Sequence, residues 1–224
     1  FAAAEQLLPE LKSMGVDIVW LMPVSPIGID GRKGTLGSYY SIIDNKAVNP
    51  EFGTMEDFQS FLNTAHDLGL KVIIDWVANH TSRDANWWKE GKKDWYVMDW
   101  EKDLPIVEYD WTDIAKLNYN NVDMRVAMLD ALKFWIEKGV DGYRCDVAMN
   151  VPGDFWAEAW KQVREINPDV YLLAEGEETW LHESDFDATY AWELHHIFNA
   201  MAKGGSETKN VVGDGTIKTD AKTV

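Results

Sequence analysis

Cysteine is almost absent. One residue, Cys145, in 224 excludes an internal disulfide framework and any zinc site built on paired thiols. Basic residues are scarce as well: 21 Lys and Arg stand against 38 Asp and Glu, a formal net charge of −17. So acidic a chain is a poor match for a phosphate backbone or an anionic membrane surface, and neither nucleic acid nor membrane is expected as a partner. Long apolar runs are missing; the best, 16–24, is of strand length. Histidines at metal-ligand spacing are missing too, since His195 and His196 are adjacent and His182 stands alone. No Gly-x-Gly-x-x-Gly follows a candidate strand, which argues against a dinucleotide site. The chain starts at Phe1, with no basic segment leading into an apolar core, so this start reads as a processed end or a cut and carries no compartment signal.

What is abundant is tryptophan. There are 12, and six of them (Trp76, Trp87, Trp88, Trp95, Trp100, Trp111) fall between residues 76 and 111. Bulky core packing and flat platforms for sugar rings both use tryptophan, and composition does not choose between them. Most of the 12 are expected in packing, with two or three exposed.

Helical and β-branched segments alternate. Residues 2–14 carry Leu7, Leu8 and Leu11 at helical spacing, and 16–22 (VDIVWLM) read as a buried strand. Thr54 is a candidate N-cap with Asp57 three residues on, ahead of Phe58, Phe61, Leu62 and Ala65. Further strands are expected at 71–75, 140–146 and 169–175, with a weaker one at 186–192 and a last helix near 194–203. Nearly all-apolar strands alternating with helices imply a parallel sheet covered by helices. A doubly wound sheet and a βα barrel both fit. Long connections after the first two strands, against one- or two-residue turns before each strand, favour the barrel, whose site lies at the strand C-terminal ends.

Three strands end in acids: Asp75, Asp146 and Glu175. A barrel brings such ends to one rim. Arg144 and Asp146 are two apart on a strand, so they share a face. A guanidinium there is expected to keep Asp146 ionised, which suits a nucleophile, although a purely structural ion pair uses the same residues. Glu175 closes an apolar run beside Glu177 and Glu178, a setting expected to favour a proton donor. One ionised and one protonated carboxyl group is the arrangement that glycoside hydrolysis requires.

Taken together, Asp75-Trp-Val-Ala-Asn79-His80, Gly142-Tyr-Arg144-Cys-Asp146 and Leu172-Leu-Ala-Glu175 resemble the first three signatures of the α-amylase family, glycoside hydrolase family thirteen. Trp20-Leu-Met-Pro23, Tyr40-Ser-Ile-Ile-Asp44 and Val48-Asn-Pro-Glu-Phe-Gly53 support it, and coverage runs from about residue 5 to about residue 203. The resemblance implies a TIM-type (β/α)8 barrel, incomplete here, with about strands two to six present. Residues 77–121 then form a Trp-rich excursion after the third barrel strand. It implies Asp146 as nucleophile, Glu175 as general acid/base and Arg144 as the arginine that orients the nucleophile. His80 and Tyr40 would contact the sugar at the cleavage point, Asp75 would brace the rim, and Asn79 would ligate a structural calcium found in many members. No cofactor is expected for the chemistry. The implied reaction is retaining hydrolysis of α-1,4-glucosidic bonds in starch-like α-glucans or malto-oligosaccharides. A transglycosidase or sugar phosphorylase of the same family and a non-catalytic carbohydrate-binding relative are the alternatives.

Three departures accompany the resemblance. The fourth signature, Asn-His-Asp, is absent from 176–224, no strand precedes the first helix, and Asn150 stands where calcium-binding members carry His. The segment is therefore expected to belong to a longer reading frame and to be a poor amylase alone.

Overall fold

In the computed structural model, residues 1–203 are described. In chain order the elements are α1 (Ala2–Glu5), α2 (Leu8–Ser13), β1 (Ile18–Leu21), α3 (Met55–Asp67), β2 (Lys71–Val77), β3 (His80–Ser82), α4 (Asn86–Lys89), β4 (Met98–Asp99), β5 (Leu104–Pro105), β6 (Ile114–Lys116), α5 (Val122–Glu137), β7 (Gly142–Asp146), α6 (Gly153–Ile166), β8 (Tyr171–Ala174), α7 (Trp180–Glu183), β9 (Ala188–Thr189) and α8 (Trp192–Ala202). The first helix expected from periodicity is two short ones. Pro9 sits in the first turn of α2, and its ring and missing N–H prevent a continuous helix from Ala2. The last strand is shorter than expected, two residues rather than seven.

Strands β1, β2, β7, β8 and β9 form one parallel sheet in that order. The order follows the chain without reversal. A doubly wound sheet reverses at its switch point, whereas a barrel does not, so the sheet is the wall of a partial (β/α) barrel. Residues 78–121 leave this sheet and form two small antiparallel pairs, β3 with β6 and β4 with β5.

Alternation divides each strand between two faces. One face carries Val72, Ile74, Trp76, Tyr143, Cys145, Leu172 and Ala174, all buried in the main apolar cluster with helix residues Phe58, Trp135, Trp156 and Trp160. Trp156 and Trp160 stack at 5.0 Å, and Trp135 Nε1 donates to the Asn45 carbonyl at 2.7 Å. A buried indole usually finds such a partner, but the Nε1 atoms of Trp76 and Trp160 are buried without one. Tryptophan is thus mainly packing material here; only Trp20 and Trp100 are exposed, at 45% and 66%. The capping box of α3 forms as its sequence predicts, with Thr54 Oγ1 accepting from the Asp57 N–H and the Asp57 side chain accepting from the Thr54 N–H. Such a cap is worth about 1 kcal/mol. Gly69, at φ 70°, ends that helix and lets the chain turn into β2.

Candidate active site

The other face of the sheet carries the chemistry. The β2–β7 register places Asp75 beside Arg144, and the β7–β8 register leads from Cys145 and Ala174 to Asp146 and Glu175 at the strand ends. Arg144 is the hub. Its Nη1 donates to Asp75 at 3.0 and 3.2 Å and to Asp146 Oδ1 at 3.0 Å, and its Nη2 reaches Glu175 Oε1 at 2.8 Å. Its Nε donates to the Tyr190 hydroxyl at 3.1 Å. Trp20 and Tyr190 each lie 5.4 Å from the guanidinium carbon, so the cation contacts two aromatic rings.

One guanidinium serves three carboxylates. Burial pushes the Asp75 carboxyl up to about 6, with Arg144 and Tyr40 opposing. Asp146 is pushed up to about 7, first by burial and then by the charge of Glu175, with Arg144 opposing. The two-residue spacing on β7 predicts that Arg144 decides the state of Asp146. The structure corrects that, because the guanidinium is divided among three carboxylates and Asp146 is largely buried. Asp146 therefore keeps its proton much closer to neutrality than an ordinary carboxyl group does.

Val147 follows Asp146 in the left-handed region, at φ 38° and ψ 47°. For a β-branched residue this costs about 1–3 kcal/mol. The turn aims the Val147 N–H at Glu175 Oε2, 2.7 Å away. Both carboxylate oxygens of Glu175 are thereby held by donors.

Tyr40, His80, Asp146 and Glu175 line one cleft of about 330 Å³, together with Lys33, Ser38, Trp111, Asp113, Ile114 and Val147. The Tyr40 hydroxyl donates to Asp75 Oδ2 at 3.3 Å, and burial followed by the charge of Asp75 pushes its phenol up. Burial lowers His80 to about 4, so the imidazole is neutral near pH 7. Asp75 lies below the cleft, reached through Arg144 and Tyr40.

Asn79 lies away from the cleft lining. Its amide nitrogen donates to Glu108 Oε2 at 2.8 Å and lies 3.2 Å from His80 Nδ1. Glu108 in turn pairs with the Lys116 ammonium. Calcium takes six to eight oxygens. Here the amide presents nitrogen, a lysine already neutralises Glu108, and among the described residues no group of three His, Cys, Asp or Glu is placed to hold a metal. Asn118 Oδ1 is likewise engaged, accepting the Asn120 N–H at 3.1 Å. The residues around Asn79 do not fit calcium.

Sequence reasoning missed Tyr190, Trp111, Lys33 and the role of Trp20 beside Arg144. Tyr190 follows a two-residue strand with no apolar run to flag it. Trp20 had a signal, since its alternation with Val19 and Leu21 places it on the Arg144 face.

The sequence matches the catalytic domain of alpha amylase over residues 4–221. It is 32% identical to Alpha-amylase 3 of Dictyoglomus thermophilum over 194 residues, which cover 75% of this chain and 37% of that protein. It is 30% identical to an alpha-1,4-glucan:maltose-1-phosphate maltosyltransferase of Mycobacterium tuberculosis, over 91% of this chain and 33% of that protein. The fold superposes on a crystal structure of an alpha-amylase from Lactobacillus plantarum with a TM-score of 0.87 and 38% identity, covering 93% of this chain and 53% of that one. The chain thus spans about a third of the length of these curated relatives. Partial barrel, matched sequence and superposed fold agree: the chain belongs to the α-amylase family and carries part of its catalytic domain.

Proposed function

We propose that this chain supplies the nucleophile and the acid/base of a retaining glycoside hydrolase that cleaves α-1,4-glucosidic bonds of starch-like α-glucans. The observation that carries the reading is the pair Asp146 and Glu175, bridged by one guanidinium at adjacent strand ends on the wall of a cleft also lined by Tyr40 and His80. Retaining hydrolysis needs two carboxyl groups and one proton between them. Burial of Asp146 keeps a proton in the cleft near neutrality, and attack by Asp146 requires that proton to stand on Glu175. Glu175 protonates the leaving oxygen while Asp146 attacks the anomeric carbon; Glu175 then takes a proton from water, which releases the sugar from Asp146. Arg144 orients both. Tyr40 offers a ring to the sugar, and neutral His80 offers a hydrogen bond without adding charge. Residues 77–121 act as the small module that completes the cleft.

In the protein carrying this chain, Asp146→Asn should lower kcat on maltoheptaose by at least about 10³. Glu175→Gln should do the same on maltoheptaose, while with α-maltosyl fluoride, whose leaving group needs no proton, it should release a burst of about one fluoride per site before slow turnover, because hydrolysis of the glycosyl-enzyme still lacks its base. NMR of the first-formed product should show the α anomer; the β anomer would refute retention. Similarity to a maltosyltransferase favours a second reading, transfer to a sugar or phosphate acceptor. Product analysis with and without maltose and phosphate separates the two.

A further inference from the structure

Each Nη atom of Arg144 meets a carboxylate, whereas its Nε meets a neutral hydroxyl, that of Tyr190, at 3.1 Å. The sheet register explains how a residue so far along the chain arrives there. Strand β9 pairs with β8 at Leu173↔Ala188 and Ala174↔Thr189. The Tyr190 N–H then donates to the Gly176 carbonyl at 3.0 Å, which extends that ladder by one step. Alternation puts Ala188 and Tyr190 on the face that carries Arg144, Asp146 and Glu175. Tyr190 therefore reaches back past β8 to a guanidinium on β7. Its ring is held as well, because Trp192 packs edge-on against it at 5.3 Å between centroids. Trp20 on β1 and Tyr190 after β9 approach the guanidinium from opposite edges of the sheet.

The neutrality of this partner matters. Asp75, Asp146 and Glu175 already divide one cation. An acid at Nε would claim a further share, because charge-assisted bonds are the stronger ones. A hydroxyl oxygen fixes that edge of the guanidinium while drawing little on its charge. The guanidinium is a rigid planar fork, so holding it at two points sets where the rest of it aims. Here the two points are Tyr190 at Nε and the buried Asp75 at Nη1. With both in place, Nη1 meets Asp146 at 3.0 Å and Nη2 meets Glu175 at 2.8 Å. Tyr190 is not among the residues that line the cleft, so its route to the reaction runs through Arg144 and not through the sugar.

We propose that Tyr190 is a positioning residue for the reaction: its hydroxyl locks the rotation of the Arg144 guanidinium, so that one cation bridges the nucleophile and the acid/base at the same time. This rests on the retaining-glycosidase reading above and adds the residue that fixes its geometry. Without the hydroxyl, the guanidinium turns about its outer side-chain bonds, and its contacts to Asp146 and Glu175 are no longer made together. Both carboxyl groups then lose cationic support in the same direction. The other charged and titratable groups nearby are Asp75 on β2, with Tyr40 hydrogen-bonded to it, and Lys33, His80 and Asp113 in the cleft lining. A change at Tyr190 leaves all of these in place.

The test uses the protein carrying this chain. Tyr190→Phe deletes the hydroxyl and keeps the ring. On maltoheptaose, kcat should fall about tenfold, the scale of a small misplacement at the reacting groups. KM should stay within about twofold, because no sugar contact is lost. The pH profile of kcat/KM should move as a whole to higher pH, by about half a unit on each limb, since both carboxyl groups are protonated more easily. A residue that only packs would lower Tm and leave the limbs where they are. A second measurement needs no variant at position 190. In the parent with isotope-labelled arginine, the Arg144 Hε signal, identified by its loss in Arg144→Lys, should show a nuclear Overhauser contact to the Tyr190 ring. It should also exchange with water at least about tenfold more slowly than the Hε of exposed arginines. Unmoved pH limbs in the folded variant, whatever its kcat, or a fast-exchanging Arg144 Hε, overturns the inference while leaving the glycosidase reading intact. Failure of the parent to cleave maltoheptaose overturns the glycosidase reading, and this inference with it.

Discussion

Strand β7 has an acid at each end, and the two are treated in opposite ways. Just before it, Asp141 receives the Lys71 ammonium at 2.9 Å, the His66 Nε2 at 2.7 Å and the Val72 N–H at 2.9 Å. Burial alone would raise this carboxyl group, but the donors outweigh it and hold it below its ordinary value. At the far end, Asp146 shares one guanidinium with Asp75 and Glu175, and there burial wins. Residue type and strand are the same. The number of donors per carboxylate differs, and it separates an anchor from the proposed nucleophile. The anchor sits at the N-terminal end of the barrel strand and the proposed nucleophile at the C-terminal end, the ends between which barrel enzymes divide stability from chemistry.

The largest effect should come from removing the shared donor. Arg144→Leu leaves three buried carboxylates without their cation and should cost about 3–5 kcal/mol in urea unfolding at pH 7. A cost near that of a surface substitution would break the picture of a hub. Next is the anchor. Asp141→Ala should cost about 1–2 kcal/mol, because Lys71 is largely exposed and screened while the Val72 N–H loses its partner. The folded pKa of Asp141 is depressed, so its contribution is present above the ordinary carboxylate value and fades as pH falls through the folded one. The variant and the parent should therefore converge in acid.

The smallest effect sharpens the contrast by reversing sign. Asp146 has a raised folded pKa, so between its ordinary value of 3.8 and about 7 the folded state binds more protons than the unfolded state. Stability therefore falls as pH rises through that window. Asp146→Asn removes this loss and should raise Tm by about 2–4 °C at pH 7.5 relative to the parent, with a smaller gain at pH 5. Scanning calorimetry at the two pH values checks it; an equal gain at both would contradict the raised carboxyl.

Much of this arrangement was legible beforehand, and the reason is periodicity. Arg144 and Asp146 are two residues apart, which fixes a common face once β7 is a strand, and Glu175 ends a run that can only be buried. Strand order in a barrel follows chain order, so convergence of Asp75, Asp146 and Glu175 needed no long-range information. The excursion was not legible in the same way. Pairing of His80 with Lys116 joins residues far apart in sequence, and no local pattern announces it. The division of Arg144 among three acids also lay outside sequence reasoning, because it depends on distances across neighbouring strands. The break at Pro9 is the opposite case: the signal was present, and the leucine spacing on either side masked it.

Cys145 lies between Arg144 and Asp146 but points to the helix-facing side, where it is fully buried. Burial also pushes its thiol well above the ordinary value, so the reactive thiolate is doubly suppressed in the folded protein. It is the chain's one thiol. A soluble alkylating reagent can therefore modify this chain at its thiol only when β7 parts from its neighbours. The rate of that modification is a clock for the opening of the strand that carries Arg144 and Asp146, read without any label or substitution.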